Sequence, residues 1–295
     1  MRLLVTGASG LVGRSVARLA AERGIEVHAA ARSKVALAGT TGHVVDLLEP
    51  GASRALVERV RPTHIVQAAW LTTHGSYWHD PANLDWVVAA CGLAAGFAEV
   101  GGVRFVQVGS GAEYDWRYAH LIEDETPERP GTRYGQAKLA AFAALRTAAV
   151  DAFEAVDARV FFTYGPHENP ARLIPYICRS HAAGETPSLS SGRQWRDLLH
   201  VDDTAAALLA IAGAERASGV INIGGGSPVS LAEVARTLAT IAGAKDSGLG
   251  ARPDRADDPT SLLPDTRRLR VLGWRQAISL EEGLAATYRW WEEQG

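Results

Sequence analysis

The sequence predicts an α/β chain built on a doubly wound parallel sheet, with a smaller, interrupted C-terminal unit. Three observations lead there. Short β-rich runs alternate with longer helical stretches over the first two-thirds of the chain, several of those runs are apolar without a break, and a glycine-spaced turn joins the first run to the first helix. Strands are expected at 3–6, 26–31, 43–45, 64–68, 104–108 and 158–162. Between them, Ala, Leu and Val recur at helical spacing over 11–23, 53–61, 81–100 and 135–150. Strands separated by helices of this length pair in parallel through crossovers. Continuous apolar runs such as Phe105-Val106 and Val160-Phe161-Phe162 suit strands covered by helices on both faces.

Beyond Pro166 the rhythm changes. Pro170, Pro175, Pro187 and a polar stretch over 188–196 interrupt the alternation. A helix is then expected at 202–212, a strand at 220–223, and a helix to Ile241 that Ser230 would cap. Residues 243–265 read as loop, and an amphipathic helix closes the chain at about 280–291.

Composition narrows the function classes. The 295 residues carry 30 Lys and Arg against 33 Asp and Glu, a net charge of −3, so there is no basic excess for a nucleic-acid backbone. A hydrophobic share of 47% beside 21% charged residues suits a globular protein, not a disordered one. No run of about 20 apolar residues is present, so no membrane span is expected. Cys91 and Cys178 are too few for a disulfide framework and are read as apolar packing. With an N-terminus that turns glycine-rich too soon for a signal peptide, the expected compartment is the reducing cytoplasm. His74, His79 and Asp80 share a loop, but their spacing matches no zinc pattern, and no metal is expected.

The chemistry starts at Thr6-Gly7-Ala8-Ser9-Gly10-Leu11-Val12-Gly13. Three glycines spaced three apart permit a tight turn and a close backbone approach to a pyrophosphate, at a helix N-terminus whose partial charge is positive. This is a dinucleotide-binding turn. The end of the second strand decides which dinucleotide. It reads Ala31-Arg32-Ser33, with no carboxylate for a ribose hydroxyl and one guanidinium suited to a 2′-phosphate. NADP is therefore favoured, with NAD possible. Asp46 is either an acceptor for the adenine amino group or a loop cap.

Tyr134 and Lys138 lie four residues apart, one turn along the same helix face. A phenol titrates near pKa ~10, too high for a neutral-pH proton donor and acceptor, and a neighbouring ammonium and a cationic nicotinamide ring are both expected to lower it. Ser110 closes the predicted strand at 104–108, at the carboxyl end where open parallel sheets bind ligands. Taken singly, Ser110 is a turn serine and Tyr134–Lys138 a surface pair. Together with the glycine turn they read as a site.

At this point the chain resembles the extended short-chain dehydrogenase/reductase family, in its nucleotide-sugar-modifying epimerase/dehydratase branch. The likeness rests on the glycine turn, Ser110 to Tyr114, Tyr134-x-x-x-Lys138 and Arg159 to Pro166, and spans nearly the whole chain. It continues through Arg193-Gln-Trp-Arg196-Asp197-Leu-Leu-His200-Val-Asp-Asp203, Asn222-Ile223-Gly224, Leu272-Gly273-Trp274 and Leu280-Glu-Glu-Gly283. The resemblance implies a Rossmann dinucleotide domain over 1–165, completed by parts of 197–225, with 166–295 mainly forming the substrate domain. It implies cofactor contacts at Gly7, Ser9, Gly10, Leu11, Val12, Gly13, Arg32, Ser33, Asp46, Leu47, Ala68, Ala69, Tyr134 and Lys138, and catalysis by Ser110, Tyr134 and Lys138. Ser110, Gly111, Trp70, His74, Arg196 and Arg252 are the implied contacts to a nucleotide-diphosphate sugar, the arginines serving its diphosphate. A homodimer through the helices at 81–100 and 135–150 is also implied.

Departures from the pattern sharpen the expectation. Gly111 and Ala112 stand where the family's dehydratases carry an acidic pair, which disfavours elimination of water. Phe162 replaces an asparagine before Tyr164-Gly165-Pro166, and Trp86 falls near another replaced asparagine. The likeness is nearest to NDP-4-keto-6-deoxyhexose reductases and epimerases. The expected activity is reduction of the keto group of a nucleotide-linked 4-keto-6-deoxy sugar. A nucleotide-sugar 4-epimerase with tightly bound NAD(P) is the alternative, and a non-catalytic dinucleotide-binding protein the third reading.

Overall fold

In the computed structural model, residues 1–73 and 75–294 are described. Seven parallel strands form the main sheet: β1 (Arg2–Thr6), β2 (Glu26–Ala31), β3 (Thr40–Val44), β4 (His64–Gln67), β5 (Arg104–Ser110), β7 (Glu154–Val160) and β10 (Gly219–Ile223). Their spatial order is β10-β7-β5-β4-β1-β2-β3. The order reverses between β1 and β4, the point where an open α/β sheet leaves a crevice at its carboxyl edge. Helix α1 (Leu11–Glu22) packs with α6 (Val201–Gly213), while α2 (Ala52–Val60), α3 (Asn83–Glu99) and α4 (Arg133–Ala148) pack together. Each group contributes to its own apolar core against the sheet. This double coverage explains why Leu3, Leu4, Val5, Ile65, Val66, Phe105 and Val106 are all fully buried, with no polar face to alternate.

A second sheet is assembled from short strands far apart in the chain. β9 (Trp195–His200) is central, flanked by β11 (Pro228–Ser230), β12 (Ser261–Pro264) and β8 (Phe162–Tyr164), with β6 (His120–Leu121) outside β12. A third apolar core joins α5 (Leu173–Ala182), α7 (Leu231–Ile241) and α9 (Leu280–Gln294), the last preceded by the short α8 (Arg267–Val271). Ser230 caps α7 by accepting the Glu233 N–H at 3.1 Å.

Several sequence expectations are corrected. The polar stretch ends in β9, and the expected loop at 243–265 contains β12. Helix α5 forms around Pro175, which sits in the first turn where its missing N–H has no partner to lose. The strand expected at 158–162 instead spans Glu154–Val160, and Phe162 begins β8 in the other sheet.

Candidate active site

The glycine turn is tight because three backbone segments meet there. Gly7 has φ +71°, and a Cβ on it would lie 2.7 Å from the Ala69 nitrogen. One on Gly13 would lie 2.3 Å from the Gly7 carbonyl oxygen. The Gly10 N–H donates to that carbonyl at 2.9 Å, and the Ala8 N–H ties the turn to β2 through Ala30. The turn thus abuts Ala68 and Ala69, which follow β4. No side chain caps α1 and no acidic residue sits in its first turn, so its N-terminal donors fit an anion. Ser9 and Gly10 are exposed at this end, Leu11 and Val12 half-buried, and Gly13 buried. These features fit the pyrophosphate of a dinucleotide.

Arg32 and Ser33 are exposed just past β2, and among the described residues Arg32 forms no ion pair within 4.0 Å. Asp46 is half-buried and its Oδ1 accepts the Leu48 N–H at 3.0 Å, the loop-capping role that the sequence left open. Leu47 is buried beside it.

Ser110 ends β5 and caps a single 3-10 turn at Gly111–Glu113. Thr132 caps α4, accepting the Gly135 N–H at 3.1 Å. A Cβ on Gly135 would lie 2.2 Å from the Ala112 carbonyl oxygen, so this glycine lets α4 press against the turn after Ser110. The Tyr134 N–H donates to the Trp78 carbonyl at 3.0 Å, fixing the helix start to the loop after β4. The Tyr134 phenol lies close enough to Ser110 for that side chain to favour its ionised form. Lys138, one turn on, is buried and donates to the Val108 carbonyl oxygen at 2.7 Å. The three residues named from sequence therefore converge.

Aromatic rings enclose them. The Tyr134 ring meets Tyr77 edge-on at 5.1 Å, Trp78 at 5.7 Å and Trp70 at 6.5 Å. Lys138 Nζ lies 3.9 Å from the Trp70 ring centroid, a cation–π contact. Trp70 is itself buried, its indole N–H donating to Asn83 Oδ1 at 2.9 Å, so it supports Lys138 from within the core.

Burial dominates the electrostatics. It pushes the Tyr134 phenol above the usual range, with Tyr77 and Glu113 adding to the rise while Ser110 and Arg172 act against it. Lost solvation here outweighs the favourable charge of the chain's own groups. Burial also lowers the Lys138 amine to about 8, opposed by the carboxyls of Glu113 and Asp157. Tyr134 as a phenol and Lys138 as an ammonium can act together only below that value.

The second unit holds its arginines differently. Arg196 is buried, with Nη2 on Asp258 Oδ1 at 2.6 Å and Nη1 on the Trp195 and Pro259 carbonyls. Arg252 is exposed and donates to Ser188 Oγ at 3.1 Å. Both are thus engaged by internal partners, whereas Gly111 is buried against Phe161 next to Ser110. His74 lies outside the described residues. No group of three His, Cys, Asp or Glu side chains able to hold a metal occurs among the described residues. Among the described residues, no helix is long and apolar enough to cross a membrane.

Sequence reasoning missed Arg172 and Glu113. Arg172 lies 5.4 Å from the Tyr77 ring and acts on the Tyr134 phenol only through three-dimensional packing, which no spacing signals. Glu113 had a faint sign in the turn sequence, as a charged residue between the apolar Ala112 and Tyr114.

A glycine-turn Rossmann sheet with Ser110, Tyr134 and Lys138 at its carboxyl edge defines a nucleotide-sugar-type short-chain dehydrogenase/reductase. Residues 3–224 match the NAD dependent epimerase/dehydratase family, and the chain belongs to that family. It is 34% identical over 199 residues to a dTDP-glucose 4,6-dehydratase of Streptomyces griseus, covering 65% of this chain and 60% of that one. It is 37% identical over 153 residues to the GDP-L-fucose synthase of Escherichia coli (strain K12), covering 44% and 46%. Both relatives are matched over less than two thirds of their own length. The UDP-glucose 4-epimerase of Mycolicibacterium smegmatis is 27% identical over 307 residues, with 97% of each chain covered. Among solved structures, MoeE5 in complex with UDP-glucose and NAD superposes with a TM-score of 0.85 at 28% identity, covering 100% of this chain and 99% of its own.

Proposed function

We propose that the protein is an NADP-dependent oxidoreductase that reduces the keto group of a nucleotide-linked 4-keto-6-deoxy sugar. The carrying observation is the meeting of Ser110, Tyr134 and Lys138 at the end of β5, beside a glycine turn shaped for a dinucleotide. The dinucleotide supplies the hydride when bound. Tyr134, kept as a phenol by burial, gives its proton to the oxygen that gains charge. The Ser110 hydroxyl donates a hydrogen bond to the same oxygen and orients the carbonyl. Lys138 holds positive charge beneath the phenol and would reach the nicotinamide ribose by leaving the Val108 carbonyl. Exposed Arg32 and Ser33 would take the 2′-phosphate. Leu11 and Val12 would meet the pyrophosphate, and Arg196 and Arg252 the sugar-nucleotide diphosphate.

Elimination chemistry is disfavoured by position. Gly111 and Ala112 offer no acid, and Glu113, the next carboxyl, is fully buried behind the serine. A second reading, a nucleotide-sugar 4-epimerase that regenerates its cofactor, is favoured by full-length similarity to the M. smegmatis epimerase. Exposed Leu84 and Val88 on α3 support a homodimer through α3 and α4.

The test is stoichiometry. Incubation with NADPH and a 4-keto-6-deoxy sugar nucleotide is expected to consume one NADPH per sugar reduced. An inverted sugar with unchanged NADPH absorbance selects the epimerase, and tight NADPH binding without turnover across keto-sugars selects a binding protein.

A further inference from the structure

The resemblance puts Trp70 among the sugar contacts, but the packing gives its ring another neighbour. Trp70 follows β4 and is 8% exposed, and its indole N–H is already taken by Asn83 Oδ1 at 2.9 Å. Asn83, fully buried at the start of α3, donates from its amide to the Tyr77 carbonyl at 2.7 Å and the Asp80 carbonyl at 2.9 Å. Trp86, three residues along α3, stacks on Trp70 with centroids 6.1 Å and planes 27° apart. The indole is thus locked by its N–H edge and by a stacked ring. What it presents to the site is a π face, with Lys138 Nζ 3.9 Å from its centroid.

Lys138 is 2% exposed, and an ammonium taken out of water needs negative charge close by. Among the described residues no carboxylate lies within 4.0 Å of it, and its one hydrogen bond goes to the Val108 carbonyl oxygen at 2.7 Å. The titrating groups around it are Tyr134 on its own helix, Glu113 in the turn after β5 and Asp157 on β7. The Tyr134 ring centroid is 5.9 Å from Nζ, and Tyr77 and Arg172 face that phenol. Burial and the neighbouring Asp157 push the Glu113 carboxyl well above its ordinary range, so it holds a proton. Asp157 is itself held by Arg159 Nε at 2.9 Å and Gln107 Nε2 at 3.1 Å. Beyond one carbonyl, the electron-rich surface that touches Lys138 is the face of the Trp70 indole, in a site dry enough for that attraction to count.

We propose that Trp70 is a positioning residue for Lys138 and not a sugar contact: its locked π face holds the ammonium beneath Tyr134 and favours the charged form. The inference rests on the proposed role of Lys138 in reduction, but its main test needs no turnover. The sequence contains three lysines, and Lys34 and Lys245 are exposed. Protein labelled at the lysine ε-carbon is titrated by NMR as wild type and with Trp70 replaced, through nonsense suppression, by mono-, di- and trifluorotryptophan. Fluorination withdraws negative charge from the ring face at nearly constant shape, so no cavity opens to bring water to the amine.

The Lys138 midpoint is expected to fall stepwise with each fluorine, by about one pH unit over the series. A folded series with an unchanged midpoint overturns the proposal. The wild type gives a second reading should a fluorinated protein not fold. The indole ring current should move the Lys138 ε protons upfield of those of the two exposed lysines, and ε protons at the ordinary position overturn the proposal equally. In turnover, the loss of reduction at high pH should move down with fluorine number while KM for the sugar nucleotide stays constant, whereas a merely structural role lowers the rate at every pH. A KM that rises with fluorine number beside an unmoved midpoint restores Trp70 as a sugar contact and overturns the proposal. A graded midpoint in a protein that reduces no keto-sugar sinks the functional reading alone. A flat series in a working reductase sinks this inference alone.

Discussion

The two halves of the proposed site are held by different means. At the carboxyl edge of the parallel sheet, Ser110, Tyr134 and Lys138 are set by backbone approaches that admit only glycine at positions 7, 13 and 135. In the second unit, Arg196 is held by the Asp258 side chain and exposed Arg252 by Ser188. Backbone contacts of this kind cannot relax without moving whole elements, whereas side-chain partners can be exchanged for a ligand. The first half is therefore preorganised for chemistry, and the second for an exchange of partners when a diphosphate arrives.

Substitutions can break this contrast, and the largest effect is expected at the phenol. Tyr134→Phe should lower kcat by about 10²–10⁴-fold while dinucleotide affinity, measured by NADPH fluorescence, stays close to wild type. Gly135→Ala forces a methyl against the Ala112 carbonyl oxygen, 2.2 Å from the ideal Cβ. It should cost about 1–3 kcal/mol in denaturant unfolding and lower kcat with it, because α4 must retreat from Ser110.

The pH dependence comes next. Lys138 titrates at about 8, so its ammonium is present below that value and lost above it. Reduction measured across pH should fall as pH rises through this range. Arg32→Glu should weaken NADPH about tenfold or more relative to NADH, a charge-assisted hydrogen bond being worth about 1.5–3 kcal/mol.

The smallest effect belongs to the exchangeable half. Asp258→Asn frees the Arg196 guanidinium from its ion pair and should lower KM for the sugar nucleotide a few-fold, with kcat unchanged. A raised KM would show that Asp258 orients Arg196 and does not compete with the substrate.

The same difference governs how much can be read from the residues. Strands β1, β4 and β5 announce themselves because burial on both faces demands unbroken apolar runs, and the glycines at 7 and 13 mark backbone crowding that no other residue tolerates. Tyr134 and Lys138 are visible because one helical turn is a local spacing. The second sheet is not local. Ser261 pairs with Trp195 and Pro228 with Asp197, so each short strand is defined by a partner elsewhere in the chain. Trp195 and Arg196, which open β9, consequently read as the end of a polar interruption over 188–196 until the pairing of the strand is known. Glu113 and Asp157 escaped for a related reason: a carboxylate reads as a surface group unless the cations that accompany it inward are known.

The central claim is that hydride reaches the sugar carbonyl while Tyr134 supplies the proton. The most direct measurement is isotope transfer from NADPH deuterated at its reactive carbon to a 4-keto-6-deoxy sugar nucleotide, followed by mass spectrometry and NMR of the product. The account predicts one deuterium on the new carbinol carbon per NADPH oxidised, with none transferred by Tyr134→Phe on the same timescale. A product without deuterium, or a phenylalanine variant that transfers it at the wild-type rate, would contradict it.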